Sequence, residues 1–340
     1  MRWRLPLVLL FVTFLLGNTH AQNFSSPVTI VLPPQVLANQ AATLAILGPD
    51  GHLAAGVPVD IGDGQHVTTD ATGRATFIAP PDGALVATTQ GVSASALVDA
   101  ALSRPAEPAV SATVMPDVSQ HDRFVICGSG FSGNVAADTV TVNGDAAFVL
   151  AASPVCVVVL PQSRTLAGPA RIEIDALGTR ATASTSLIAL DFVPPKPPLL
   201  PGRKGKLFVR AEGTGDPLQL TIENRSPDVI RFMRGDVQQV PTSGGTQNQA
   251  AIQVQAIRSG DFSFRVRIVP PADLAAASRY LEIAESVAPK NIRDELRTIA
   301  SALARHPRDA EKAHAALEKL GNASPAGSLR TLIEAAGDAL

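Results

Sequence analysis

The segment FVICGSGFSG, residues 124–133, runs an apolar stretch into glycines at 128, 130 and 133. A dinucleotide-binding loop uses this spacing to bring backbone N–H groups to a pyrophosphate. That chemistry needs a helix of ten or more residues right after the glycines, inside a strand–helix–strand unit. Here the next residues are NVAADTVTVNGDAAFVL, in which Thr139–Val142 alternates as a strand and Asn143-Gly144 is a hairpin turn before another strand. No room is left for the helix, so the segment reads as a corner between strands and no nucleotide cofactor is expected.

The other residues able to do chemistry are few. Cys127 and Cys156 are the only cysteines. A nucleophilic thiolate needs a positioned histidine, and His121, six residues before Cys127, belongs to a turn. In an exported chain a lone pair of cysteines bridges, which favours a structural Cys127–Cys156 disulfide. Asp60, Asp63 and Asp70 offer hard oxygens, but their spacing departs from a calcium loop and each sits in turn chemistry. His306 and His314 lie eight apart across a proline, a poor pair for a metal. No G-x-S-x-G or H-E-x-x-H occurs. Neither a catalytic residue nor a metal or cofactor site is expected, although paired carboxylates assembled in space leave no trace in sequence.

Residues 1–21, MRWRLPLVLLFVTFLLGNTHA, place Arg2 and Arg4 before an apolar run over 5–16 and end in small and polar residues. This is the pattern of a secretory signal cut after Ala21. The run is short of the roughly 20 residues that span a bilayer, so the mature chain is expected to be periplasmic or extracellular, with no transmembrane segment. Charge is uneven: residues 22–193 carry 6 Lys/Arg against 14 Asp/Glu, and 194–270 carry 11 against 6. A basic module suits an anionic partner; balance against acidic neighbours is the simpler reading. Export and an aromatic content of 4% argue against nucleic acid, because single strands stack on aromatic platforms.

The elements that must carry these residues are strands, then helices. From 27 to 100, short β-type runs alternate with Pro49-Asp50-Gly51, Gly62-Asp63-Gly64, Ala71-Thr72-Gly73 and Pro81-Asp82-Gly83. The string PDGHLAAGVPVDIGDGQHVTTDATGRATFIAP resembles the bacterial immunoglobulin-like domain of invasins and intimins, and equally the carboxypeptidase-regulatory domain. Residues 101–108 read as a stiff linker. Over 109–191, FVICGSGFSG, VTVNGDAA, VCVVVLP and GPARIEI resemble an IPT/TIG domain. That family's G-x-G-F corner, V-x-V-x-G hairpin and G-P turn fall on Gly128, Gly130, Phe131, Gly144, Pro161 and Gly168-Pro169. The pattern implies that Phe124 and Ile126 face inward, so Cys127 faces outward, while Cys156 aligns with the inward set. A bridge then requires a bulge.

After the proline-rich linker 193–202, alternating strands return over 199–269 as a third, basic immunoglobulin-like sandwich. Phe262, Phe264, Val266 and Ile268 form one face, with Arg265 and Arg267 on the other. Its insert PTSGGTQNQ, 241–249, is a polar loop without apolar anchors; a binding loop at the sandwich end is one reading, and plain solvation is the simpler one. Residues 271–340 turn helical, with an amphipathic stripe at Ile292, Leu296, Ile299 and Leu303. Breaks at Val287-Ala288-Pro289, His306-Pro307 and Gly321–Pro325 give about four helices. The Pro270-Pro271 connection is short, so the tail is expected to cap the third sandwich.

The fold expected is mainly β: three tandem immunoglobulin-like sandwiches and an α-helical C-terminal region. The function expected is that of an exported, non-catalytic binding or structural protein of the bacterial envelope or surface, adhesin-like or a spacer. Its partner would be an envelope or extracellular protein or a polysaccharide. The alternative is an accessory subunit docking through its C-terminal helices. A carbohydrate-active enzyme, or its binding module, ranks behind both.

Overall fold

Alternating apolar and polar residues put one face of each strand into a core, and the computed structural model closes three such cores in sequence. It describes residues 28–340 apart from 63, 101–110, 194, 196–198, 307–308 and 326. The expected secretion signal, Asp63 and the linker 101–108 lie outside the described residues. The chain is mainly β, three tandem immunoglobulin-like sandwiches followed by helices.

In the first sandwich, Thr29–Val31, Ala41–Leu47 and Arg74–Ile78 form one sheet, facing Gln35–Leu37, Val92–Asp99, Ala84–Thr89, Pro58–Gly62 and Gln65–Thr68. Leu44, Ile46, Phe77 and Leu85 fill the space between. In the second, Ser111–Val114, Phe124–Ser129, Cys156–Leu160 and Phe148–Ala152 oppose Asp138–Val142, Gly168–Ala176 and the first part of Thr179–Val193. The third pairs the end of that long strand with Lys204–Glu212, Gln249–Ala256 and Ile230–Phe232, over Val237–Pro241, Gln219–Asn224 and Phe264–Ile268. As expected, Phe262, Phe264, Val266 and Ile268 pack on its core.

The boundary between the second and third sandwiches is not the expected linker. Residues 189–193 already pair with Lys204–Glu212, Phe192 opposite Val209. One 15-residue strand, Thr179–Val193, serves both modules. Leu187 is buried in the second core and Ile188 in the third. Successive side chains of a strand point to opposite faces, so the strand crosses between cores without a turn.

The first and second sandwiches are also joined. Thr43 pairs with Ala152 across their sheets. The Thr43 hydroxyl donates to the Gly133 carbonyl at 2.6 Å, and that of Ser153 to the Gln35 carbonyl at 2.7 Å. Arg74 donates to the carbonyls of Val149 at 2.8 Å and Leu150 at 3.3 Å.

The tail forms α1 (Leu274–Val287), α2 (Lys290–Arg305), α3 (Ala310–Ala323) and α4 (Ser328–Asp338), with the Asp273 carboxylate capping α1 through Ala276 N–H at 2.9 Å. The stripe Ile292, Leu296, Ile299 and Leu303 is buried, as its period implies. Its platform is not the third sandwich. The helices share a core with Leu97, Ala84 and Val86, on the outer face of the first sandwich. The reason lies in those strands: Ala84-Leu85-Val86 and Ala96-Leu97-Val98 are apolar on both faces, so the side turned away from the first core also needs a cover. Among the described residues, no helix is long and apolar enough to cross a membrane.

Candidate functional site

Each glycine of the 124–133 segment has its own steric reason. Gly130 turns the corner at φ 82°, a conformation that side chains disfavour. At Gly128 a Cβ would lie 1.9 Å from the Ser111 carbonyl oxygen, and at Gly133 1.9 Å from that of Ala41 in the first sandwich. Phe131, 5% exposed, plugs the second core, and the chain proceeds to the strand Asp138–Val142 without a helix. The hairpin at Asn143-Gly144 has φ 53° and 85°. The segment is a corner and an inter-module contact.

Cys127 and Cys156 are disulfide-bonded and stand directly opposite each other on paired strands, so no bulge is needed there. The expected inward alignment of Cys156 is corrected: Val157 and Val159 enter the core, and Cys156 shares the outer face with Cys127. The run CVVVL is apolar throughout and shows no parity. Its outer face is buried as well, because the first sandwich abuts here and Val31, Ala45, Leu150, Ala151 and Val158 form a cluster of their own.

The aspartates cap turns. Asp60 accepts from Gly62 N–H at 2.8 Å. Asp70 accepts from Thr72 N–H and the Thr72 hydroxyl, both at 2.7 Å, and the Thr72 hydroxyl above all holds its carboxyl below the usual range. His306 ends α2, and His314 Nδ1 lies 2.7 Å from the Gly337 carbonyl oxygen. Among the described residues, no three His, Cys, Asp or Glu side chains gather as metal ligands.

What the structure does assemble is a cleft of about 890 Å³ at one end of the third sandwich. One wall is the turn Gly213-Thr214-Gly215; the other is the polar insert, whose Gly245–Gln247 forms a 3₁₀ turn. Arg210, Glu212 and Gln249 close its floor. The insert is braced from beneath. Asn248, 2% exposed, donates to the Asp216 carbonyl at 2.7 Å and the Thr214 carbonyl at 3.3 Å, and accepts from Gly244 N–H at 2.9 Å. Gly245 N–H donates to the Gly215 carbonyl at 2.7 Å, tying the walls together. Gly213, at φ 110°, passes so close to Leu187 that a Cβ would lie 2.2 Å from its carbonyl oxygen. The cleft is therefore fixed to the strand that crosses between modules. Thr246 and Gln247 stand exposed on the rim. The open wall presents amides, hydroxyls and backbone groups that can donate and accept hydrogen bonds. Beside it, burial and the Asp216 carboxylate push the Asp117 carboxyl up.

A second groove, about 450 Å³, lies between the first and second sandwiches and is lined by Asp70, Arg74, Asn134, Asp138 and Phe148. Both Asp138 oxygens accept from Ser132 N–H at 3.0 Å. Burial pushes the Asp138 carboxyl up to about 6. Arg74 donates to backbone carbonyls of the second sandwich, and Asp70 caps its own turn. Sequence reasoning passed over both grooves except for the insert 241–249; the signal for the rest, close glycine pairs at 213–215 and 244–245, was in plain view.

No family model matches the chain, and no curated protein matches it. Among solved structures it is similar to the I9–I11 tandem of titin, at 11% identity over 71% of this chain and 94% of that one, with a TM-score of 0.22. It is similar to the SGBP-B protein of the Bacteroides ovatus mixed-linkage glucan utilization locus, solved with a mixed-linkage heptasaccharide: 13% identity, 69% of this chain and 60% of that, TM-score 0.20. A likeness to the plexin A4 extracellular region has 10% identity over 69% of this chain and 22% of that, TM-score 0.28. No ligand, partner or activity comes to this chain from them.

Proposed function

We propose that the chain is an exported, non-catalytic binding protein of the bacterial envelope or surface, which holds a hydroxyl-rich polymer in the cleft at the end of its third sandwich. The observation that carries this reading is the braced wall: buried Asn248 fixes an otherwise anchorless polar loop against Gly213–Gly215. Solvation alone does not require a loop to be held rigidly from below, whereas a pre-formed binding wall does. Sandwiches carry function at their ends.

The first module is read as invasin-like or carboxypeptidase-regulatory-like and the second as IPT/TIG-like; the positive φ of Gly130 and the buried Phe131 support the latter. Export rests on residues 1–21. The alternative, an accessory subunit docking through its tail, is weakened because the tail's apolar stripe is already covered within the chain. The extensive joints between modules also speak for one body over a jointed spacer.

The test is co-sedimentation of the purified chain with insoluble polysaccharide from the producing cell's envelope. The Thr246→Ala/Gln247→Ala variant should lose most of the bound fraction while melting unchanged. Equal retention of both proteins would remove the cleft from the account.

A further inference from the structure

The strand Lys204–Glu212 buries Leu207, Val209 and Ala211, which leaves Lys204, Lys206, Phe208, Arg210 and, at its end, Glu212 on its outer face. Its neighbour Gln249–Ala256 buries Ala250, Ile252 and Val254 and turns Gln249, Gln253 and Gln255 outward. The register sets Lys204 beside Gln255 and Lys206 beside Gln253, while Arg210 stands beside Gln249 in the cleft floor. On the far side Arg231 lies opposite Gln255, its neighbours Ile230 and Phe232 buried. One row across the sheet therefore reads Lys204, Gln255, Arg231: an amide between two cations set two strand spacings, or about 10 Å, apart.

At the cleft end of this face Arg210 is balanced, paired with Glu212 at 3.7 Å and set opposite Asp191, and elsewhere on the module Arg225 pairs with Glu223 at 2.9 Å and Arg258 with Asp228. The far end carries no such balance. Among the described residues, Lys204, Lys206 and Arg231 enter no ion pair, and all three are exposed. From Lys204 to Arg210 the outer face extends about 20 Å before it reaches the cleft.

We propose that this face is a docking track for a linear polysaccharide bearing carboxylates, which runs along Lys204, Lys206, Gln253, Gln255 and Arg231 and enters the cleft past Arg210 and Gln249. The proposal rests on the cleft as a polymer site and names the class of polymer. Cations meet the carboxylates, and the glutamine amides, which both donate and accept, meet the intervening hydroxyls. Phe208 is half-buried and faces Ala251, so the track lacks the successive aromatic platforms on which bases stack. It also lacks a cluster of apolar side chains to enter a lipid surface.

The experiment titrates the full chain with polygalacturonate, with neutral dextran, with a single-stranded oligonucleotide and with phosphatidylglycerol vesicles. Polygalacturonate should bind, and more weakly as ionic strength rises. The triple variant Lys204→Gln/Lys206→Gln/Arg231→Gln should weaken it about tenfold, the combined worth of three exposed ion pairs. The control Arg171→Gln/Arg180→Gln/Lys312→Gln should bind as the wild type does. No binding of polygalacturonate, equal losses in both triples, or tighter binding of vesicles or oligonucleotide through the same three cations would overturn the proposal. Binding of dextran that depends on Thr246 and Gln247, without binding of polygalacturonate, would overturn the track and leave the cleft standing; binding of no glycan would remove both.

Discussion

Arg279 on α1 donates to the Asp99 carboxylate at 2.5 Å and to the Val98 carbonyl at 2.8 Å, linking residues 180 positions apart. The tail thus returns to the first sandwich, where Tyr280 joins the core shared with Leu97 and burial pushes its hydroxyl pKa up. A chain ended at residue 270 exposes Leu97 and its neighbours. Loss of the burial of Leu97 alone costs about 2 kcal/mol, so the first sandwich should melt earlier and the third should not. Module-resolved hydrogen exchange distinguishes them. Arg279→Ala should cost about 1 kcal/mol in the same direction; unchanged protection of Val92–Asp99 in both would refute the docking.

Breaking the Cys127–Cys156 bridge frees a loop closed over a separation of 29 residues. Its loss should cost about 3–4 kcal/mol through the entropy of the unfolded chain. Urea unfolding of Cys127→Ser/Cys156→Ser against the oxidised chain measures it. The second sandwich should fall first, and a difference near zero would contradict the assignment.

Asp138 is an acid whose folded pKa, about 6, exceeds its unfolded value. Between roughly pH 4 and 6 the folded state holds more protons than the unfolded, so this group makes stability fall as pH rises through that window and level off above it. The full effect is on the order of 3 kcal/mol. Asp138→Asn keeps an acceptor for Ser132 N–H and should flatten that part of the pH profile, with stability at pH 7 equal or higher. A steeper profile in the variant would contradict the burial argument.

Gly133→Ala places a methyl group against the Ala41 carbonyl, where the first two sandwiches meet. The joint must open, and the Thr43–Gly133 hydrogen bond goes with it. Independent melting of the first sandwich in the variant, against concerted melting in the wild type, is the expected calorimetric outcome; an identical single transition would count against a rigid joint.

Much of this architecture was legible because it is local. The corner at Gly130, the hairpin at Asn143-Gly144 and the stripe from Ile292 to Leu303 follow from backbone sterics and side-chain period. What stayed hidden depends on which surfaces meet. The parity of Cys156 was masked by an apolar run covered on both faces. The strand Thr179–Val193 alternates as far as Ser186 and then runs apolar through Leu187-Ile188-Ala189-Leu190, a break that marks the passage between cores but reads equally as a strand buried on both faces. The tail's platform could be inferred only by noticing that Val86 and Leu97 are apolar on the side away from their own core. The cleft shared this fate: the insert 241–249 was visible as polar, but its support by Asn248 is a long-range contact.

Hydrogen exchange of the full chain with and without a saturating envelope polysaccharide tests the central claim most directly. Added protection should concentrate in 213–215, in 244–249 and along Lys204–Glu212 and Gln249–Ala256, with α2 and α3 unchanged. Protection confined to the helices, or none anywhere, would contradict a polymer-binding cleft on the third sandwich.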